Sequence, residues 1–348
     1  MSDDDVCQGK KNKVDHLGVR IGAIFVVLAT SAIFTLFPIV AKRIPKLRVP
    51  HFVYEFAKYF GSGVIIATAF VHLLEPANDE LTVECLNYNF NHYPMAYGFA
   101  LISLMVLFMS EYFAYRLGTR MLQGTELENS QLAHHHAPGH MEAHDSALEH
   151  EREENTQVLN AVDKLDDEES LNKEVARSST VTDSSELVGI FVLEFGIVFH
   201  SVIIGLTLST TSWDGDDRFQ VLFPVIVFHQ LFEGMGLGSR LAYLPPSLGP
   251  WMPYLLAFLY SIVTPVGMAI GLGARHSYTQ DTPTGYYVTG IFDSVSAGIL
   301  IYTGLVELLA HDFIFNDGMR RAPLPKVFLN MVEVCTGAGV MALLGRWA

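Results

Sequence analysis

FQVLFPVIVFHQLFEGMGLGSRL, residues 219–241, decides how the rest of the chain is read. Its apolar side chains fall on every side of a helix, so an amphipathic surface helix explains it poorly. Its length matches the about 20 residues that cross roughly 30 Å of hydrocarbon. Inside it sit His229, Gln230 and Glu233. An ionisable group at the centre of a bilayer costs on the order of 2.5–3.5 kcal/mol on insertion scales and generally serves a function.

Seven further runs share this character, over residues 19–40, 52–74, 95–115, 187–208, 251–272, 286–310 and 327–344. The expected fold is therefore an all-α polytopic membrane protein with eight transmembrane helices. Composition agrees: of 348 residues 50% are hydrophobic and only 17% charged, against about 25% charge in soluble domains. Disordered and collagen-like chains are excluded. Residues 119–186 hold sixteen acids and five bases, eleven of the fifteen net negative charges. The remainder is nearly neutral and offers nucleic acid no basic face. Three cysteines without a Cys-x-x-Cys pair exclude a thiol-based zinc fold.

The expected organisation is a tail over residues 1–18, helices one to three over 19–116, a loop over 117–186, helices four to eight over 187–344 and a short end at 345–348. No cleavable signal peptide is apparent, because the first apolar run is long enough to span and lacks a small-residue cleavage pattern. Lys42, Arg43, Lys46 and Arg48, then Arg116 and Arg120, Arg240, and Arg320, Arg321 and Lys326 follow alternate spans. They place those loops in the cytosol and both termini outside. Lys10, Lys11 and Lys13 oppose that orientation, amid Asp3, Asp4, Asp5 and Asp15. Cys7 and Cys85 then share the outside face and are expected to pair; Cys335 is read as a packing residue of the last span.

The loop is too polar to offset its ordering entropy and is expected to be mostly disordered. It carries His134, His135, His136, His140, His144 and His150, donors suited to a weak, exchangeable zinc-type site. The alternative is a solvated low-complexity linker.

The membrane histidines are more telling. His229 and Glu233 are four apart and share a helix face. At 1.5 Å per residue, His200 sits about 20 Å from the cytosolic end of the fourth span, and His229 and Glu233 about 15 and 21 Å from the outer end of the fifth. Antiparallel packing brings all three to mid-depth, where two imidazoles and a carboxylate make a zinc set with a position left open. The bland reading is a set of internally hydrogen-bonded polar residues, which matched depth argues against. Two further pairs lie nearer span ends: His72 with Glu75 beside the outer acids Asp79, Glu80 and Glu84, as a cation-collecting mouth, and Glu307 with His311 and Asp312, as an exit. Glu194, Asp293 and Glu333 are isolated and receive no role.

With His200-Ser201 and Gly205 in one span and His229-Gln230-x-x-Glu233-Gly234 in the next, the chain resembles the ZIP family of metal-ion transporters, in particular fungal plasma-membrane zinc uptake proteins. The resemblance covers essentially all the membrane part. It implies a bundle in 3+2+3 arrangement, with an inverted repeat around helices four and five, alternating access, and His200, His229 and Glu233 holding the ion with Ser201 and Gln230 alongside. Many relatives carry a second set of carboxylates where this chain has Ile204, Gln230 and Thr264, so a mononuclear site is expected.

The expected function is Zn²⁺ transport from outside into the cytosol across the plasma membrane, with zinc as substrate and no organic cofactor. A divalent metal ion and the lipid bilayer are the expected partners, and a homodimer is left open. Uptake should fall when the site histidines are protonated, since zinc needs neutral imidazole. The alternatives are broader Fe²⁺/Mn²⁺ uptake, a membrane metal sensor, or an intramembrane metalloenzyme, the last disfavoured because no H-E-x-x-H is present.

Overall fold

The computed structural model describes residues 16–44, 49–87, 90, 92–134, 191–211, 213, 219–244, 249–274 and 282–347, with residues 114, 115 and 117–134 described by backbone alone. Among the described residues are eight helices long and apolar enough to cross a membrane. They are α1 (Leu17–Arg43), α2 (His51–Leu81), α3 (Met95–Phe113), α4 (Phe191–Thr210), α5 (Phe219–Leu241), α6 (Met252–Ala274), α7 (Pro283–Phe315) and α8 (Leu324–Leu344). The chain divides into two compact units, Met1–Phe108 with Val188–Ala348, and Met109–Leu187. In the second, the backbone of α3 continues as helix to His134.

The fifth span coincides with its reading from sequence, whereas α2 and α7 run past theirs, to Leu81 and Phe315 in place of residues 74 and 310. Both expected ends lay at charged residues, Glu75 and His311, which do not stop these helices. Both helices instead contain π-helical turns, Thr68–Leu74 in α2 and Thr303–Phe315 in α7. Such turns bond one residue further along and often mark functional sites. In α2 the α-helical register resumes at Glu75, with Pro76 in its first turn, where a missing N–H is tolerated. The start of α7 also lies earlier than residue 286, because Thr282 accepts a hydrogen bond from the Gly285 N–H at 3.1 Å and Pro283 opens the helix.

Lipid offers no hydrophobic drive between helices, so close approach of small residues supplies much of the packing. Helices α2 and α5 cross at Gly61 and Gly236, where a Cβ on either residue would collide with the other's backbone. Gly205 of α4 and Gly267 of α6 form a similar crossing. Helix α1 packs on α5 and α6, and α2 on α5, α7 and α8. Phe25, Val106, Phe258, Ile314 and Phe328 are 57–69% exposed. Facing acyl chains, such side chains are at home; facing water they would be a liability.

Arg20, fully buried near the start of α1, donates to the carbonyls of Ser209 at 2.9 Å and Thr211 at 2.6 Å. It thereby satisfies backbone oxygens at the end of α4 that have no partner within the helix. Cys335 is exposed on the outside of α8, not packed as expected from sequence, because the buried face of that helix passes through Asn330, Glu333, Gly337 and Met341. Cys85 is disulfide-bonded; Cys7, the other half of the expected pair, lies outside the described residues, as do His135, His136, His140, His144 and His150.

Candidate metal centre

Helices α4 and α5 bring His200, His229 and Glu233 together. All three are buried, at 2%, 1% and 0% exposure. His200 Nε2 and His229 Nε2 stand 3.4 Å apart, and His229 Nε2 lies 3.6 Å from Glu233 Oε2. One ligand atom from each of the three residues falls within 4.8 Å of the others. Donors bound to one tetrahedral zinc at about 2.0–2.1 Å are separated from each other by about 3.3 Å. The two short edges of this triangle are thus near the spacing that a shared Zn²⁺ demands.

The surroundings are polar and incompletely bonded. Ser201 Oγ, His229 Nδ1, Gln230 Nε2, Glu233 Oε1 and Thr264 Oγ1 are buried without a hydrogen-bond partner among the described residues. Buried polar atoms normally find partners, so Glu233 Oε1 is left open to a water or to a second bond from an ion held at Oε2. Where relatives are implied to carry further acids, Ile204 is apolar and half-buried, and Gln230 and Thr264 are uncharged and buried.

His72 does not stand at the end of its helix. It lies nine residues before Leu81 and is buried, its ring edge-on to His229 with centroids 5.2 Å apart. Its Nε2 is 3.0 Å from the Met341 carbonyl oxygen. A carbonyl only accepts, so Nε2 carries the hydrogen and Nδ1 keeps the lone pair. Glu75, Asp79 and Glu84 are exposed, and Glu80 is half-buried. Glu307 and His311 are half-buried within the π-helical part of α7. His134 is described by backbone alone, at the end of the helical continuation of α3.

Asp312, read from sequence as part of an exit, is instead held by two cations: Lys58 Nζ at 2.6 Å and Arg240 Nη2 at 2.8 Å. Arg240 Nη2 also donates to Ser62 Oγ at 2.6 Å. In the sequence Arg240 serves only to orient the helices and Lys58 carries no motif, though a lysine seven residues inside an apolar run is itself a signal of a partner. Ser31 and Tyr260 likewise stand outside any sequence pattern. Ser31 Oγ donates to Gln230 Oε1 at 2.7 Å, and the Tyr260 hydroxyl is 3.2 Å from Glu233 Oε2. A tyrosine amid an apolar span needs a partner for its hydroxyl, and that is the clue the sequence offers.

A family model described as ZIP Zinc transporter matches residues 17–345. Among curated proteins, the chain is 42% identical to Zinc-regulated transporter 1 of Schizosaccharomyces pombe, covering 97% of this chain and 87% of that protein. It is 38% identical to Zinc-regulated transporter 1 of Saccharomyces cerevisiae, over 96% and 88% of the two chains. It is also 32% identical to Fe(2+) transport protein 2 of Oryza sativa subsp. japonica, over 95% and 86%.

Proposed function

The chain belongs to the ZIP zinc transporter family, and from that premise we propose that it carries Zn²⁺ from outside the cell into the cytosol through a mononuclear site formed by His200, His229 and Glu233. It is a multi-pass membrane transport protein, not an enzyme. The observation that carries the site assignment is the donor spacing of 3.4 and 3.6 Å among three fully buried groups on two helices. With two imidazoles and a carboxylate, the ion has one position left for water or for a donor in transit.

In this reading the acids Glu75, Asp79 and Glu84 gather cations, and His72 passes the ion to His229. Glu307 and His311 lie on the way out, and the loop histidines His134, His135, His136, His140 and His144 meet it in the cytosol. Ser201 and Gln230 complete the polar lining. Both termini lie outside, in the plasma membrane, and helices α4 and α5 form the central pair of a 3+2+3 arrangement. Access alternates between the two sides by movement of helices about the site. An inside-negative potential favours inward passage by about 2.3 kcal/mol per charge per 100 mV, twice over for a divalent ion.

Uptake of radiolabelled zinc by cells expressing His229→Ala or Glu233→Ala tests the assignment: the proposal expects loss of saturable uptake at normal surface amount. Near-normal uptake would remove these residues as ligands. A second reading, uptake extending to Fe²⁺ or Mn²⁺, is favoured by the unpartnered oxygens Ser201 Oγ and Glu233 Oε1, which a larger coordination shell would use. Competition by those ions for zinc uptake separates the two.

A further inference from the structure

Tyr260 of α6 reaches the candidate centre without being a member of its donor set. The side chain is 2% exposed, and its hydroxyl lies 3.2 Å from Glu233 Oε2, 3.3 Å from Gln230 Oε1 and 3.4 Å from the Gln230 carbonyl oxygen. A phenol has one hydrogen to give. Ser31, on α1, already donates to Gln230 Oε1 at 2.7 Å. A carboxylate oxygen is a stronger acceptor than an amide or peptide oxygen, and charge-assisted bonds are roughly twice as strong as neutral ones. The Tyr260 hydrogen therefore goes to Glu233 Oε2, which is also the oxygen that stands 3.6 Å from His229 Nε2.

We propose that Tyr260 is a positioning residue that sets the zinc affinity of the site by holding the metal-facing oxygen of Glu233. This rests on the reading of His200, His229 and Glu233 as zinc ligands. A glutamate side chain has three rotatable bonds, and apart from the His229 ring at 3.6 Å the described residues offer this carboxylate no other hold than Tyr260: Oε1 has no hydrogen-bond partner among them. The hydroxyl limits it to the orientation in which Oε2 faces the imidazoles, so less ordering is required when the ion arrives. Outer hydrogen bonds of this kind orient metal ligands and tune their donor strength. Because the hydroxyl comes from α6 and the carboxylate from α5, the ligand keeps its orientation only while those two helices keep their contact. Ser31 acts in parallel one turn earlier on α5: it supplies Gln230 Oε1 with a hydrogen at 2.7 Å, so that oxygen does not depend on Tyr260 for a donor.

The test is the zinc dependence of initial uptake in cells expressing Tyr260→Phe, which keeps the ring and its packing and removes only the hydroxyl. Loss of an outer-sphere partner typically costs about 10–100-fold in metal affinity. The expected result is an apparent KM for zinc raised by about tenfold or more, with the maximal rate per surface molecule kept within about twofold. A packing role alone would lower the surface amount and leave KM unchanged. An unchanged KM at measurable expression overturns the proposal. If Tyr260→Phe does not reach the surface, the variant is purified in detergent and titrated with zinc, and a dissociation constant equal to that of the parent overturns it equally. Glu233→Ala is measured beside it. Loss of saturable uptake there with a parental KM in Tyr260→Phe removes only the role of Tyr260, whereas normal uptake in Glu233→Ala removes the site reading itself.

Discussion

Lys58 Nζ lies 2.6 Å from Asp312 Oδ1, joining α2 to α7 through a carboxylate that is 2% exposed. The other oxygen of Asp312 is taken by Arg240 of α5 at 2.8 Å. Three helices thus meet on one buried acid. With both oxygens committed, Asp312 is a fastening between helices and not a ligand waiting for an ion.

Replacing Asp312 by Asn should therefore destabilise the protein without touching the donor set. It leaves Lys58 and Arg240 facing each other with no counter-charge. Breaking a buried pair from one side costs roughly 3–5 kcal/mol. The Lys58 share is smaller because that side chain is 26% exposed, against 11% for Arg240. Thermal unfolding of the detergent-purified variant should begin several degrees below that of the parent. An unchanged transition would mean the ion pairs contribute nothing to stability.

Gln230 adjoins His229, is fully buried and carries no charge. Gln230→Glu would put a second carboxylate beside Glu233 and supply the hard oxygen that Mn²⁺ favours. Mn²⁺ should then compete with zinc uptake at lower concentration than in the parent. Zinc should also leave more slowly, because two neighbouring acids hold a divalent ion more firmly than one. Uptake curves with competing Mn²⁺ check both points, and an unaltered half-inhibitory Mn²⁺ concentration would count against Gln230 lining the site.

The eight helices are legible in the sequence because an all-round apolar run of membrane length fits little besides a spanning helix. His200, His229 and Glu233 are legible because their depths can be matched by counting rise per residue. What escapes is everything that depends on how helices face one another. The π turns of α2 and α7 leave no mark in hydropathy, so the sequence puts His72 at a helix end although it touches His229. Lys58 and Arg240 are 182 positions apart in sequence and meet only through Asp312. Thr264 draws the eye as the place of a missing acid, yet the side chain of α6 that reaches Glu233 is Tyr260, one helix turn earlier. Cys335 looks like filler because burial cannot be read from an apolar neighbourhood when lipid is the solvent.

The crossing of α2 and α5 makes a further demand. At Gly236 a Cβ would stand 2.8 Å from the Cα of Gly61, and neither backbone can yield while the helices stay in contact. Gly236→Val should cost roughly 1–3 kcal/mol or more through overpacking. It should also spread the helices that carry His72 and His229, so zinc uptake per surface molecule should fall even where the variant reaches the membrane. Gly18, whose added Cβ meets nothing within 4 Å, provides the control: Gly18→Ala should transport like the parent.

His72 offers a separation of structural and transport roles within one side chain. Its Nε2–H donates to the Met341 carbonyl at 3.0 Å, which ties α2 to α8, while Nδ1 retains the lone pair of a ring that stands edge-on to His229. Gln places an amide nitrogen near the Nε2 position and can keep the bond to Met341, but it has nothing equivalent to the Nδ1 lone pair. Asn reaches only as far as Nδ1 and abandons Met341. If His72 hands zinc to His229, His72→Gln should keep the stability of the parent in detergent and lose most of its uptake at limiting zinc. His72→Asn should instead be less stable, by about 1–3 kcal/mol for a buried carbonyl left without its donor. Full uptake in His72→Gln would confine His72 to holding α2 against α8, and the route to His229 would then have to begin elsewhere on α2.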